Sequence, residues 1–220
     1  MTTKPEIKIV QYFWEGRKRS DQFNREINET YCLRNGYEYA AKTFLPREDR
    51  AACWSKIPAM REEMHDCDFL LYLDADVFVY SHDLKVEEEL IPQLEDKQIM
   101  MCATDSHLPR TEIIFVRNTP KAAEMLRIWD ESSEHPEMKE FRFKAPCEQE
   151  ACTRTIMKEY VDDIKLLEEY YLSQSSCGMC VRHLLGMKDE ERYKTQKTFL
   201  ASRKGMLAVF CELTLHAILT

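Results

Sequence analysis

Asp74 and Asp76 stand one residue apart, directly after the apolar run Phe69-Leu70-Leu71-Tyr72-Leu73. Side chains at i and i+2 of an extended chain share a face, so this spacing predicts two carboxylates converging on one spot. Open α/β sheets bind ligands outside the carboxyl ends of their strands, which is where such a pair would lie. Two carboxylates, completed by waters and phosphate oxygens, suit a hard divalent cation, Mg2+ or Mn2+, which seldom sits in an all-protein cage. The competing reading is two solvated loop aspartates, or one aspartate capping the next turn, and the strength of the preceding hydrophobic run argues against it. A second constellation, Cys177-x-x-Cys180-x-x-His183, has the outline of a zinc-site fragment. A structural zinc takes four ligands, and no second closely spaced Cys or His pair completes this one, so it reads as two adventitious thiols. Glycine-built phosphate cradles are nearly excluded. The chain has only five glycines, and neither G-x-G-x-x-G nor G-x-x-x-x-G-K-[ST] occurs.

The aspartates need elements to hold them. Residues 7–13 (IKIVQYF) predict a first strand. Residues 21–35 predict a helix with Phe23, Ile27, Tyr31 and Leu33 or Arg34 along one stripe, stopped at Asn35-Gly36, where glycine accepts the left-handed conformation. A strand over 37–44 closes a β-α-β unit. A helix over 55–65 carries Pro58 in its first turn, where a missing N–H costs little. Residues 68–80 (DFLLYLDADVFVY) are the most apolar and β-prone run, continuous at first as in a strand covered on both faces. Beyond it the pattern predicts a short helix over 87–94, strands at 99–103 and 112–116, and a helix over 120–129. A charged surface excursion over 131–146, a helix over 148–160, a strand at 164–167 and a charged helix over 188–202 follow. This order predicts an α/β fold, a single α/β/α sandwich with a mostly parallel central sheet.

Composition bounds the function. The 220 residues are 44% hydrophobic, enough to bury a core and to exclude global disorder. A formal net charge of -8, from 31 basic and 39 acidic residues, argues against a nucleic-acid binder working through a general basic surface. No apolar stretch approaches the roughly 18 residues that would span a bilayer, and MTTKPEIKIV lacks a signal-peptide pattern. Nine cysteines, an odd number without small-scaffold spacing, read as reduced thiols of an intracellular, cytoplasmic protein.

Several ordered pieces resemble nucleotide-sugar-dependent glycosyltransferases of the GT-A (Rossmann-like) fold, and in overall shape the galactosyl- and mannosyltransferase family and the small transferase domains of large algal viruses. W-S-K, a helix and then DFLLYLDADVFVY resemble the family's metal-binding D-x-D region. N-E-T-Y-C-L-R-N-G-Y-E-Y, F-V-R-N-T-P-K-A, Glu148-Gln149-x-Ala151 and His183-x-x-Gly186-x-Lys188 resemble further family segments in the same order. Where relatives tend to show Asn-x-Gly, this chain has Arg110-Thr111-Glu112.

The resemblance implies a UDP-sugar donor, a glycan or glycoprotein acceptor, Mn2+ or Mg2+ as cofactor, and transfer with retention. It implies Asp74, Asp76 and His183 as metal ligands, and Lys56, Asp74, Ala75, Gly186 and Lys188 around the donor's sugar and diphosphate. Gln11, Tyr12 and Phe13, at the end of the first strand, would hold the nucleobase. Glu148 and Gln149, opening a helix at its positive end, would stand beside the anomeric carbon, with Asp105 as a further catalytic candidate. Residues 1–105 would form the nucleotide-binding part and 106–220 the acceptor part of one domain, cytosolic or excised from a longer multidomain chain. Two other readings compete. One is a haloacid-dehalogenase-type phosphatase, which also carries D-x-D after an apolar strand, though usually its first. The other is a nucleotide-sugar binding module without turnover.

Overall fold

The strand residues alternate between two faces, and both faces are covered. The computed structural model describes residues 4–14, 18–44, 48–103, 107–168, 181–183 and 189–202. Its strands are β1 (Ile7–Trp14), β2 (Glu38–Phe44), β3 (Phe69–Leu73), β4 (Val77–Val79), β5 (Ile99–Ala103), β6 (Pro109–Arg117), β7 (Ile164–Leu167) and β8 (Val181–His183). Six of them form the main sheet in the order β2-β1-β3-β6-β5-β7, while β4 and β8 pair separately. β2, β1 and β3 are parallel, β6 runs against β3 and β5, and β5 and β7 are parallel. The sheet is therefore mostly parallel with one reversed strand, as an α/β sandwich of this class allows.

Helices cover it on both sides: α1 (Lys18–Asn35), α2 (Lys56–Glu63), α3 (Val86–Glu89), α4 (Ile91–Leu94), α5 (Pro120–Glu131), α6 (Glu148–Arg154), α7 (Ile156–Glu159) and α8 (Asp189–Ser202). On one side Val10, Leu70, Tyr72, Ile114 and Val116 pack with Ile57, Met60, Met125, Leu126 and Trp129. On the other, Ile9, Leu71, Leu73, Ile113 and Phe115 pack with Tyr31, Val86, Leu90 and Leu94. Sequence signals explain several boundaries. Gly36 at φ +71° ends α1, and the Tyr37 N–H returns to the Cys32 carbonyl at 2.9 Å, closing a Schellman-type stop. Thr119 caps α5 by accepting from the Ala122 N–H, with Pro120 at the first helical position.

Four expectations need correcting. The apolar run over 68–80 is not one strand: it breaks into β3 and β4 at a turn in which the Val77 N–H donates to the Asp74 carbonyl at 2.9 Å. Residues 131–146 are a surface excursion only in part: most are exposed, but Ser132, Ser133, Met138 and Phe141 are buried within 3-10 turns. Charge dominates the composition there, and the few apolar positions do the packing. The helix expected over 148–160 is interrupted at Thr155, and both candidates for the end of α1's buried stripe, Leu33 (82% exposed) and Arg34, are exposed.

Candidate active site

The site forms where β3 ends, and its centre is a lysine. Lys56 opens α2 directly after a 3-10 turn, Ala52–Ser55, whose Trp54 is buried and donates its Nε1–H to the Phe141 carbonyl at 3.2 Å. The Lys56 side chain is only 4% exposed, so its charge must be met inside the protein. Its Nζ lies 2.9 Å from Asp74 Oδ1 and 2.9 Å from Glu148 Oε1, and donates to the Thr111 carbonyl at 2.9 Å. Three donors meet three acceptors. The Tyr72 hydroxyl donates to the same Asp74 oxygen at 3.0 Å, and the Thr111 hydroxyl donates to Glu148 Oε1 at 3.0 Å.

The electrostatics follow from this packing. Burial works against a charged Lys56, but Asp74 and Glu148 outweigh it and hold the ammonium well above the usual lysine range. Burial also raises the Asp74 carboxyl; Lys56 draws it back, and neighbouring Asp76 pushes it up again, leaving it above the usual aspartate range. Glu148 moves the other way. Burial opposes its ionisation, yet Lys56, with the Cys53 thiol and Thr111 hydroxyl, keeps it below the usual glutamate range. Burial and Asp74 together push the Tyr72 phenol well above its usual value, so it remains a donor. Two carboxylates around one lysine are thus driven apart in acidity, a pattern typical of working sites.

The D-x-D turn is gripped from beneath by amides. Gln11 Nε2 donates to the carbonyls of Asp74 (2.9 Å) and Val77 (2.8 Å), and its Oε1 accepts from Asn28 Nδ2 (2.8 Å) and the Tyr39 hydroxyl (2.7 Å). Asn28 also donates to the Val77 carbonyl at 3.1 Å and accepts from the Val79 N–H at 2.8 Å. Asn24, one helical turn earlier, donates to the Ala75 carbonyl at 2.7 Å and accepts from Gln196 Nε2 of α8. These buried amides satisfy backbone groups that a strand would have paired, which is why the turn can exist in a buried place. Asp76 points elsewhere than Asp74: its Oδ2 lies 3.2 Å from an Arg192 guanidinium nitrogen, and Arg192 is 1% exposed.

Several expected site residues meet here. Lys56, Asp74 and Glu148 are in direct contact, Asp76 lies one turn position on, and Ala75 sits between the aspartates. β8 pairs antiparallel with β4 so that His183 is the register partner of Val77, the residue after Asp76, although its side chain lies outside the described residues. Gln149 is half-buried beside Glu148. Asp105, Gly186 and Lys188, with Cys177 and Cys180, lie outside the described residues. Gln11, Tyr12 and Phe13 do not form one surface. Gln11 is buried with its amide N–H groups on the turn and its oxygen taken by Asn28 and Tyr39, Phe13 is buried, and Tyr12 is half-buried against the opposite face. The aspartates themselves do not share a strand face, because a turn and not an extended chain carries them. α6 is only seven residues long, and Glu148 is held by Lys56 rather than by a helix end.

Sequence reasoning missed Tyr72, Thr111, Asn24, Arg192 and Gln196. Asn24 and Asn28 had a signal, two amides at i and i+4 on a helix face that is otherwise buried. Arg192 had none, since it stands in a helix rich in charge.

The donor set around the turn suits a hard cation: two carboxylates, one with its acidity weakened by burial and by the other's charge, both now facing cationic side chains.

Comparison with solved structures defines the fold. A glycosyltransferase involved in the glycosylation of the major capsid of PBCV-1 is similar over 88% of this chain and 100% of its own, with 16% identity and a TM-score of 0.73. The galactosyltransferase LgtC, solved in complex with donor and acceptor sugar analogs, is similar over 81% of this chain and 87% of its own (10% identity, TM-score 0.57). GlyE of Streptococcus pneumoniae TIGR4 is similar over 76% of this chain and 46% of its own (10% identity, TM-score 0.51). The fold is that of the GT-A glycosyltransferases. Within it, residues 19–113 match the model of the galactosyl transferase GMA12/MNN10 family, a segment that runs from α1 through the D-x-D turn to β6. No curated protein sequence matches. Among the described residues, no helix is long and apolar enough to cross a membrane.

Proposed function

We propose that this chain transfers a sugar from a UDP-sugar to a hydroxyl group of a glycan or glycoprotein acceptor, with retention at the anomeric carbon. The observation that carries the reading is the buried Lys56, which links the D-x-D carboxylate of Asp74 to Glu148 through one ammonium group. The family segment and a donor-bound relative of the same fold support it. Asp74, Asp76 and the imidazole of His183 would hold Mn2+ or Mg2+, which when bound neutralises charge on the leaving diphosphate.

The chain's own residues do the rest. Two carboxylates keep Lys56 protonated, and since its three N–H bonds go to Asp74, Glu148 and Thr111, its fixed positive charge would act on the donor's sugar or phosphate oxygens through space. Glu148 acts through Lys56: its buried carboxylate sets where the ammonium sits. Gln149, half-buried and next in sequence, is the group that faces the sugar as positive charge develops at the anomeric carbon; an amide stabilises that charge without acting as a base. Tyr12 offers the aromatic face for the base, while Gln11 and Phe13 support the strand end. Gly186 and Lys188 would line the diphosphate, and Asp105 remains the alternative acidic group. The nucleotide part, roughly 1–105, thus supplies Lys56 and the aspartates, and the remainder supplies Glu148 and Gln149.

Calorimetric titration with a panel of nucleotide sugars, with and without Mn2+, tests this directly. UDP-sugars should bind more tightly than guanosine counterparts, and only with the cation. Gln149→Ala should lower kcat with donor affinity nearly kept. Tighter binding of a guanosine diphosphate sugar would overturn the donor assignment, and binding without turnover would make the chain a sugar-nucleotide binding module. The phosphatase reading finds no support in a D-x-D that follows the third strand of a GT-A fold.

A further inference from the structure

Beside the lysine cluster, two thiols meet that are far apart in sequence. Cys53 lies in the Ala52–Ser55 turn, three residues before Lys56, and Cys147 immediately precedes Glu148. The two Sγ atoms and a carboxylate oxygen of Glu148 all lie within 4.8 Å of one another. The segments that carry them are clamped together. The Ala51 N–H donates to the Arg142 carbonyl at 2.6 Å, Trp54 Nε1–H to the Phe141 carbonyl at 3.2 Å, and Trp129 Nε1–H to the Glu148 carbonyl at 2.8 Å. Cys147 is buried, and Cys53 is half-buried.

We propose that Cys53, Cys147 and Glu148 form a binding site for a soft divalent cation of the zinc class, separate from the hard-cation site expected at Asp74 and Asp76. Tetrahedral coordination with metal–sulfur bonds of about 2.3 Å and metal–oxygen bonds of about 2.0–2.2 Å sets ligand atoms roughly 3.5–3.8 Å apart, so the three need to close by no more than about 1.3 Å. Two thiolates and a carboxylate select zinc over magnesium or manganese. The fourth position goes to water. Each thiol releases a proton as its metal–sulfur bond forms, so one divalent cation replaces two protons and the net charge around Lys56 is unchanged. Glu148 Oε1 is engaged by Lys56 and Thr111, which orients the carboxylate and leaves Oε2 for the cation. Binding there would draw Glu148 toward the thiols and shift Lys56 with it, so the cation would also restrain whatever reaction Lys56 serves. Binding itself does not depend on that reaction.

The test is optical and does not use turnover. Co2+ is titrated anaerobically into the reduced full-length chain carrying Cys177→Ser and Cys180→Ser, which removes the other closely spaced cysteine pair. A sulfur-to-cobalt charge-transfer band should grow to one equivalent and bleach on addition of Zn2+. Adding Cys53→Ser should weaken Co2+ binding at least tenfold and diminish the band, with circular dichroism unchanged; Cys147→Ser should do the same. Should Cys147→Ser fail to fold, Cys53→Ser, at the less buried position, decides alone. Absence of the band at saturating Co2+, or an undiminished band in Cys53→Ser, would overturn the assignment.

Discussion

Lys56 shows how a single residue sets both stability and chemistry. A buried ammonium is unfavourable alone, and here it is the shared counter-ion of two carboxylates that would otherwise be buried together. Replacing it with methionine keeps most of the volume but strands Asp74 and Glu148. Lys56→Met should therefore cost about 3–5 kcal/mol of stability, read as a lower urea midpoint with an unchanged slope. A loss under about 1 kcal/mol would mean that the carboxylates find other partners or stay protonated. A second ionic cluster sits away from the site and makes a cleaner pH experiment. Burial opposes the charge of Glu63, but Lys42, with Lys8 behind it at 3.7 Å, outweighs burial and lowers its pKa below the usual value of 4.5. A carboxylate whose folded value is depressed stabilises the fold fully above its unfolded value and loses that contribution as pH falls through the folded one. Stability of the native protein should thus fall more steeply below about pH 4.5 than that of Glu63→Gln, whose urea midpoints should show a shallower acid limb.

At the scale of elements, α1 does more than cover the sheet. Its buried face carries Asn24 and Asn28 in register with the D-x-D turn, so the helix acts as the turn's hydrogen-bonding floor. Asn28→Ala would remove the side-chain acceptor of the Val79 N–H and one of two donors to the Val77 carbonyl, at a cost of about 1–3 kcal/mol. It should also loosen Asp74 and Asp76 and weaken divalent-cation binding, measured by calorimetry; unchanged cation affinity in a destabilised variant would confine Asn28 to a structural role. Much of this scaffold was legible in the sequence. The β-α-β start, the Gly36 stop, the Pro58 and Pro120 helix starts and the apolar β3 all follow from local rules, and the order of elements gave the α/β class. The break at Asp74–Val77 was not legible, because its cause is a set of amides from β1 and α1 that no local pattern reveals. The same holds at the site. Spacing flagged Asp74 and Asp76, and a family pattern flagged Lys56 and Glu148. The contact between Lys56 and Glu148, and the pairing of Asp76 with Arg192, depend on elements that meet only after folding.

For the molecule as a whole, the sheet order brings the end of β3, the start of α2, the first residues of β6 and the start of α6 to one place. β6, reversed between β3 and β5, is what lets Thr111 stand over Lys56. The α8 helix completes the enclosure by laying Arg192 on Asp76 and Gln196 on Asn24. Net charge is negative overall, yet the centre pairs each acidic group with a buried cation, the arrangement expected where an anionic donor must enter with its own counter-charge. In the proposed function, Asp74 and Asp76 serve a cation-dependent transfer from a UDP-sugar. The measurement that tests it most directly is release of UDP from a UDP-sugar in the presence of Mn2+, in excess EDTA, and in Asp76→Asn with its fold checked by circular dichroism. The account predicts release with Mn2+, none in EDTA and at least a hundredfold loss in Asp76→Asn with the fold intact. Full release in EDTA, or an Asp76→Asn variant as fast as the native chain, would contradict it.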